Sequence, residues 1–95
     1  MLIDIPYKNG DVVSLKLSSG EEVVGRLEEE KGDGMVLTKP MMLTAAEQGL
    51  GLAPFMFSVA HDAKFLIKSA NVLCVTKTEK EFANQYLQNT TGLQL

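Results

Sequence analysis

Apolar and polar residues alternate between positions 12 and 28, with one break in the middle. Val13, Leu15 and Leu17 fall on one side of an extended chain, and Ser14, Lys16 and Ser18 fall on the other. That period of two marks a strand with one buried face. Ser18-Ser19-Gly20 interrupts it with turn chemistry, Gly20 being free to take a positive φ. The alternation resumes with Val23, Gly25 and Leu27 against Val24, Arg26 and Glu28. The pattern predicts a hairpin closed at Gly20. Gly25 occupies a core-facing position, where glycine marks a bend, a bulge or a close backbone approach, or else is tolerated on an edge strand.

Residues 28–34, Glu-Glu-Glu-Lys-Gly-Asp-Gly, predict a charged second turn. Met35-Val36-Leu37-Thr38 starts a third strand that continues past Pro40 through Met41, Met42 and Leu43, with Pro40 at an edge or an irregularity because it donates no hydrogen bond. Residues 46–54 are expected to form a glycine-rich loop. Residues 55–59 and 63–67 are apolar and strand-like, and His61-Asp62 between them is either a kink in one long strand or a short turn. Val72-Leu73-Cys74-Val75-Thr76 is a further short β-branched strand.

After that strand the period changes. Thr78 and Glu81 fit a capping box, and Phe82 with Tyr86 and Ala83 with Leu87 recur at helical spacing. A helix of about three turns follows, with Gly92 as its stop. The expected organisation is an N-terminal extension over 1–10, a β domain over 11–77, and a helix with a tail over 78–95.

Length adds that 95 residues hold one domain. A chain of this size buries only about 60–65% of its unfolded surface, so association is a natural further source of burial. Net charge is −3, which argues against a general basic surface for nucleic acid while leaving room for a local cluster of lysines. The single cysteine, Cys74, allows no internal disulfide, and its apolar neighbours Leu73 and Val75 predict a buried packing residue. The N-terminus shows no signal-peptide pattern, and no apolar run reaches the roughly 18 residues of a membrane span. These features predict a soluble cytoplasmic protein without a membrane partner.

Candidate chemistry is sparse. One histidine and one cysteine cannot supply the clustered ligands of a zinc site. His61 and Asp62, as neighbours on a strand, would face opposite ways. No nucleophile has a base and an orienting partner in view, and Gly49-Leu50-Gly51 lacks the rest of a phosphate loop. The expectation is no catalytic residue, no metal and no cofactor.

Two motifs carry a resemblance. Leu17-x-x-Gly20-x-x-x-x-Gly25-x-Leu27, followed by Asp33 and Met35-Val36-Leu37, resembles the first motif of Sm-like (LSm and Hfq) domains. Residues 65–72, Phe-Leu-Ile-Lys-Ser-Ala-Asn-Val, resemble the second. The resemblance implies a mostly β fold, a small, strongly bent five-stranded antiparallel barrel of SH3-like type. It also implies a homo-oligomeric ring in which the fourth strand of one subunit pairs with the fifth of the next. Phe55, Phe57, Phe65, Ile67, Val72 and Cys74 would lie at that interface, although a strand packed only in its own core has the same periodicity. A ring of about five to seven copies is the expected partner set.

Many Sm-like rings bind single-stranded RNA at the pore, which places Asp33, Met35, Lys68, Ser69 and Asn71 as the corresponding residues here. The family's asparagine falls on Met35 or Val36, and Lys68 replaces its arginine. Lysine contacts phosphate as a point charge but lacks the planar fork that recognises a base. The functional expectation is therefore a non-catalytic ring with RNA at the pore, or a ring that has lost RNA binding and serves a protein partner.

Overall fold

The computed structural model describes residues 5–60 and 62–91, and the side chain of Thr91 is left aside. Its strands are β1 (Val12–Leu17), β2 (Glu22–Lys31), β3 (Gly34–Ala46), β4 (Gly49–Pro54), β5 (Lys64–Lys68) and β6 (Val72–Lys77), followed by helix α1 (Lys80–Thr91). A 3-10 turn, Ser69–Asn71, joins β5 to β6. All pairings are antiparallel, in the order β4-β3-β2-β1-β6, with β5 also on β3.

The first hairpin forms where the alternation places it. Gly20 has φ +107°, and its N–H donates to the Leu17 carbonyl at 2.9 Å. The second hairpin is tighter than the charged run suggested. Glu28 through Lys31 remain in β2, and only Gly32-Asp33 turns the chain.

β3 is shared between two partners. Its first half pairs with β5, from Gly34↔Lys68 to Thr38↔Lys64, and its second half with β4, from Met41↔Pro54 to Ala46↔Gly49. The described residues between Pro54 and Lys64 thus stand opposite only Lys39 and Pro40. Those two residues form a kink: Lys39 takes φ +47°, unusual for a residue with a Cβ, and Pro40 contributes no N–H to the ladder. Across the kink the β2 register shifts between Val24 and Arg26, leaving Gly25 against it.

Gly25 therefore marks both an irregular register and a close approach. A Cβ there would lie 3.3 Å from Leu37 Cδ1 and 3.3 Å from the Pro40 Cα. Leucine can rotate away, but a proline backbone atom held between strands cannot. Gly25→Ala is expected to cost about 1–2 kcal/mol, the scale of mild overpacking, measured by urea unfolding; an unchanged midpoint would contradict the close approach.

Several expectations need correction. Among the described residues there are six strands, and the sheet is not closed into a barrel, because β5 and β6 share no ladder. The 3-10 turn carries the chain from the edge beside β3 to the edge beside β1 instead of closing the gap. Residues 49–54, expected as a loop, form β4: Gly49, at φ +123°, allows a short turn back onto β3. Residues 55–59, expected as a strand, are irregular, since the kink offers no matching edge. Cys74 is exposed, because β6 is an edge strand with only β1 beside it. His61 and Gly92, and with Gly92 the expected helix stop, lie outside the described residues.

Two hydrophobic clusters lie on opposite sides of the sheet. Val13, Leu15, Leu17, Val23, Leu27, Met35, Leu37 and Ile67 form the larger, with Phe55, Phe65, Val72 and Val75 packed against it. Val12, Val24 and Tyr86 form the smaller, joined by Met41, Leu43, Leu52, Phe82, Ala83 and Leu87. So α1 covers part of the face that alternation alone assigned to solvent. Its helical stripe of Phe82, Ala83, Tyr86 and Leu87 supplies the cover, as the spacing predicts.

The start of α1 differs from the expected capping box. Thr78 is buried and shares a 2.8 Å hydrogen bond with Ser14 of β1, while Glu79 takes the capping role, its Oε2 accepting the Phe82 N–H at 3.0 Å. At the other end, Lys39 Nζ donates to the Thr90 carbonyl at 3.0 Å, a cation where the helix dipole favours one. The Tyr86 hydroxyl donates to the carbonyls of Lys39 (2.9 Å) and Thr38 (3.0 Å). The helix is thus fastened to the kink of β3 itself.

Candidate functional site

The corner where β5 ends is assembled from three connections. β3 holds Gly34 opposite Lys68, which brings the β2–β3 turn beside the end of β5. The Ser69 N–H donates to the Asp33 carbonyl at 2.9 Å, and the Ser18 N–H donates to the Asn71 carbonyl at 2.8 Å. Both ends of the 3-10 turn are therefore tied, one to each hairpin turn. Such ties fix the direction in which the chain enters β6.

Within this corner Lys68 Nζ and Asp33 Oδ2 lie 3.1 Å apart, and both side chains are more than half exposed. The Lys68 hydrogen bond, with its charge adding, holds the Asp33 carboxyl below its ordinary value. A depressed carboxylate keeps its pairing above its ordinary value and loses it as pH falls through the folded one. At this exposure the pair contributes little to stability. Its consequence is local: Lys68 already faces an anion, and Lys31 on the neighbouring strand adds its charge to the same carboxylate.

Of the residues expected at an RNA site, Asp33, Lys68, Ser69 and Asn71 gather here and are exposed. Met35 does not join them. Its side chain is buried in the larger cluster, opposite Ile67 in the β3–β5 register. Sequence position alone could not separate these cases, because Met35 is only two residues from Asp33 but on the inward face of a strand.

The second feature is a pair of open strand edges on either side of this corner. β5 is hydrogen-bonded on one side, to β3, and β6 on one side, to β1. Leu66 on β5 is 43% exposed and Leu73 on β6 is 68% exposed. Neither strand carries a proline, and the charged residues sit at or near their ends, so the usual protections of an isolated edge are weak. Of the expected interface residues, Phe55, Phe65, Ile67 and Val72 pack into the chain's own core, Phe55 and Phe65 edge-to-face at 6.2 Å. Phe57 and Cys74 are exposed. Leu66 and Leu73, the exposed leucines of these two edges, are not among the expected residues. Alternation supplies the signal for Leu66, which lies between inward-facing Phe65 and Ile67; nothing equally simple marks Leu73.

Among the described residues, no group of three or more His, Cys, Asp or Glu could hold a metal ion, and no helix is long and apolar enough to cross a membrane. No protein-family model matches this sequence, and a search of curated proteins finds no relative.

Proposed function

We propose that this chain is a non-catalytic Sm-like subunit that assembles with copies of itself into a ring, the free edge of β5 in one copy adding to the free edge of β6 in the next. One observation carries the reading. Two strands with open edges and exposed leucines are joined by a 3-10 turn whose two ends are tied down, so both edges are presented in a fixed relation. Each copy then offers one edge and accepts another, the head-to-tail arrangement that closes into a ring when the rotation permits. Counting β4 and β5 as one strand interrupted opposite the β3 kink leaves five strands, in keeping with the family resemblance. Main-chain pairing satisfies the edge amides and carbonyls while Leu66 and Leu73 leave water.

Native mass spectrometry tests this directly. The wild-type chain is expected as about five to seven copies, and Leu66→Lys combined with Leu73→Lys is expected as a folded monomer with an unchanged far-ultraviolet spectrum. A wild-type monomer at high concentration would end the proposal.

A role at the pore follows from the Asp33–Lys68 corner. Lys68 with Ser69 and Asn71 can meet a phosphate or a base edge, but Asp33 competes for the lysine. Single-stranded RNA is then held weakly in the wild type. Asp33→Asn is expected to tighten a uridine-rich oligonucleotide by about fivefold at low salt, because it removes the anion that competes for Lys68. Fluorescence anisotropy over a salt series would show this, with a shallow slope for few phosphate contacts. Should neither form bind while the ring persists, the alternative stands: an assembly ring that serves a protein partner, consistent with the net charge of −3.

A further inference from the structure

The kink of β3 opens a cleft of about 350 Å³ that the ring reading does not use. Pro40, Met41, Met56, Phe57, Val59 and Phe65 form its apolar walls, and Asn89 and Thr90 of α1 stand at its polar end. It lies where the chain between β4 and β5 is too long for the two residues opposite it: the Phe55 N–H still donates to the Pro40 carbonyl at 3.2 Å, and residues 56–60 carry no ladder. Its size falls at the small end of the range for small-molecule sites, and its mostly apolar lining with a few polar groups is typical of them.

Among the described residues that line the cleft, Lys39 is the sole charged one. Its backbone sits in the left-handed region at φ +47°, an arrangement disfavoured for a side chain with a Cβ and kept only where the surroundings enforce it. That backbone turn directs the ammonium to the end of α1, where one N–H is spent on the Thr90 carbonyl at 3.0 Å. A lysine ammonium has three donors, so further donors remain for an anionic group at the mouth of the cleft. Among the described residues, no carboxylate side chain lines it to compete. Meanwhile Phe57 is 84% exposed, with Met56 and Val59 beside it also facing water. An apolar wall next to one cation matches a molecule with an apolar tail and one negative charge.

We propose that this cleft binds a small amphiphilic monoanion of the medium-chain carboxylate class, its tail between Met41, Met56, Val59 and Phe65 and its carboxylate on Lys39. From β5 the site takes only Phe65, which packs inward, and it takes nothing from β6, so its occupancy does not require the ring.

Methionine-methyl NMR with decanoate as the probe, and decanol as its uncharged twin, provides the test. Met41 and Met56 line the cleft, whereas Met35 is buried in the larger cluster and does not line it, and so serves as an internal reference. Saturable shifts of the Met41 and Met56 methyls below about 1 mM decanoate, with Met35 unmoved, are expected. Lys39→Met should weaken decanoate at least tenfold and leave decanol unchanged. Because Lys39 also holds the helix end, Val59→Glu serves as a second variant; it alters a wall residue that is 40% exposed and should weaken decanoate, with the fold intact, by setting a charge against the apolar tail.

Unmoved Met41 and Met56 methyls would overturn the proposal, as would equal weakening of decanol by Lys39→Met or an unweakened Val59→Glu. If Phe57→Ser halves the mass of the assembly while decanoate shifts nothing, a second copy covers the cleft and the small-molecule reading is likewise overturned.

Discussion

Gly34→Ala should destabilise the protein by about 3 kcal/mol and lower its melting temperature by about 10–20 °C, near the upper end of what overpacking costs in a domain of this size. The reason lies in the β3–β5 ladder, not in backbone freedom. Gly34 pairs with Lys68, and a Cβ built on it collides with the Ile67 carbonyl oxygen, with the Ile67 carbonyl carbon at 3.1 Å and Leu66 Cδ1 at 3.0 Å behind it. A carbonyl in a hydrogen-bonded strand cannot rotate aside as a side-chain tip can. Relief would require β5 to move outward, which pulls Ile67 from the larger core and shifts Lys68 away from Asp33. Gly32, two residues earlier, provides the control. Nothing lies within 4 Å of its added Cβ, so Gly32→Ala should change stability by about 0.5 kcal/mol or less. Thermal unfolding of both variants decides the matter; equal melting temperatures would mean that β5 does not lie against Gly34.

Tyr86→Ala is the second large effect, expected at about 3–5 kcal/mol for an aromatic removed from a packed interior. Tyr86 is 1% exposed and is the largest residue of the smaller cluster. Removing it takes away the contact with Val12 and Val24 and leaves the carbonyls of Thr38 and Lys39 without its hydroxyl. Tyr86→Phe isolates the second part and should cost about 1–2 kcal/mol, the worth of a buried hydrogen bond. Urea unfolding followed at a helical wavelength reads both, and a loss below about 1 kcal/mol for the alanine variant would show that α1 contributes little to the fold.

The same tyrosine has a pH signature. Burial raises its phenol pKa above the ordinary 10.0, with hydrogen bonding opposing in part. A raised folded value means its stabilisation is complete below the unfolded value and is lost as pH rises through the folded one. Tyr86→Phe should therefore lose less stability than the wild type on the alkaline side of pH 10.

The ring proposal and the cleft proposal ask different things of one feature. The kink at Lys39-Pro40 divides β3 between two partners, which frees β5 to present an edge and also leaves residues 56–60 before it without a ladder. The first consequence concerns backbone groups that need partners. The second concerns apolar side chains that need cover. Both arise because two residues on one strand face a much longer stretch on the other.

How far the sequence reaches can be judged from particular positions. Alternation over Val13, Leu15 and Leu17 and over Val23 and Leu27 determines the first hairpin and the larger core. Gly20 closes that hairpin, because the signal and its cause are local: a period of two and a residue free to take positive φ. The helical spacing of Phe82, Ala83, Tyr86 and Leu87 is local in the same sense. At the candidate site, Asp33, Lys68, Ser69 and Asn71 could be named from motif order, while their meeting depends on the β3–β5 register.

What only the tertiary structure decided involves pairs distant along the chain. Val12 and Val24 are buried because α1 crosses over them, and no neighbouring residue announces that. Gly49–Pro54 becomes a strand because the far half of β3 is available to it, and residues 55–59 fail to become one because no matching edge is. Thr78 leaves its capping role for Ser14, sixty-four positions away in the chain, and Cys74 stays exposed because β6 ends the sheet. Local spacing can state which residues suit a strand or a helix. Which edges remain open, and which surface a helix covers, depends on how the elements compete for one another after they form.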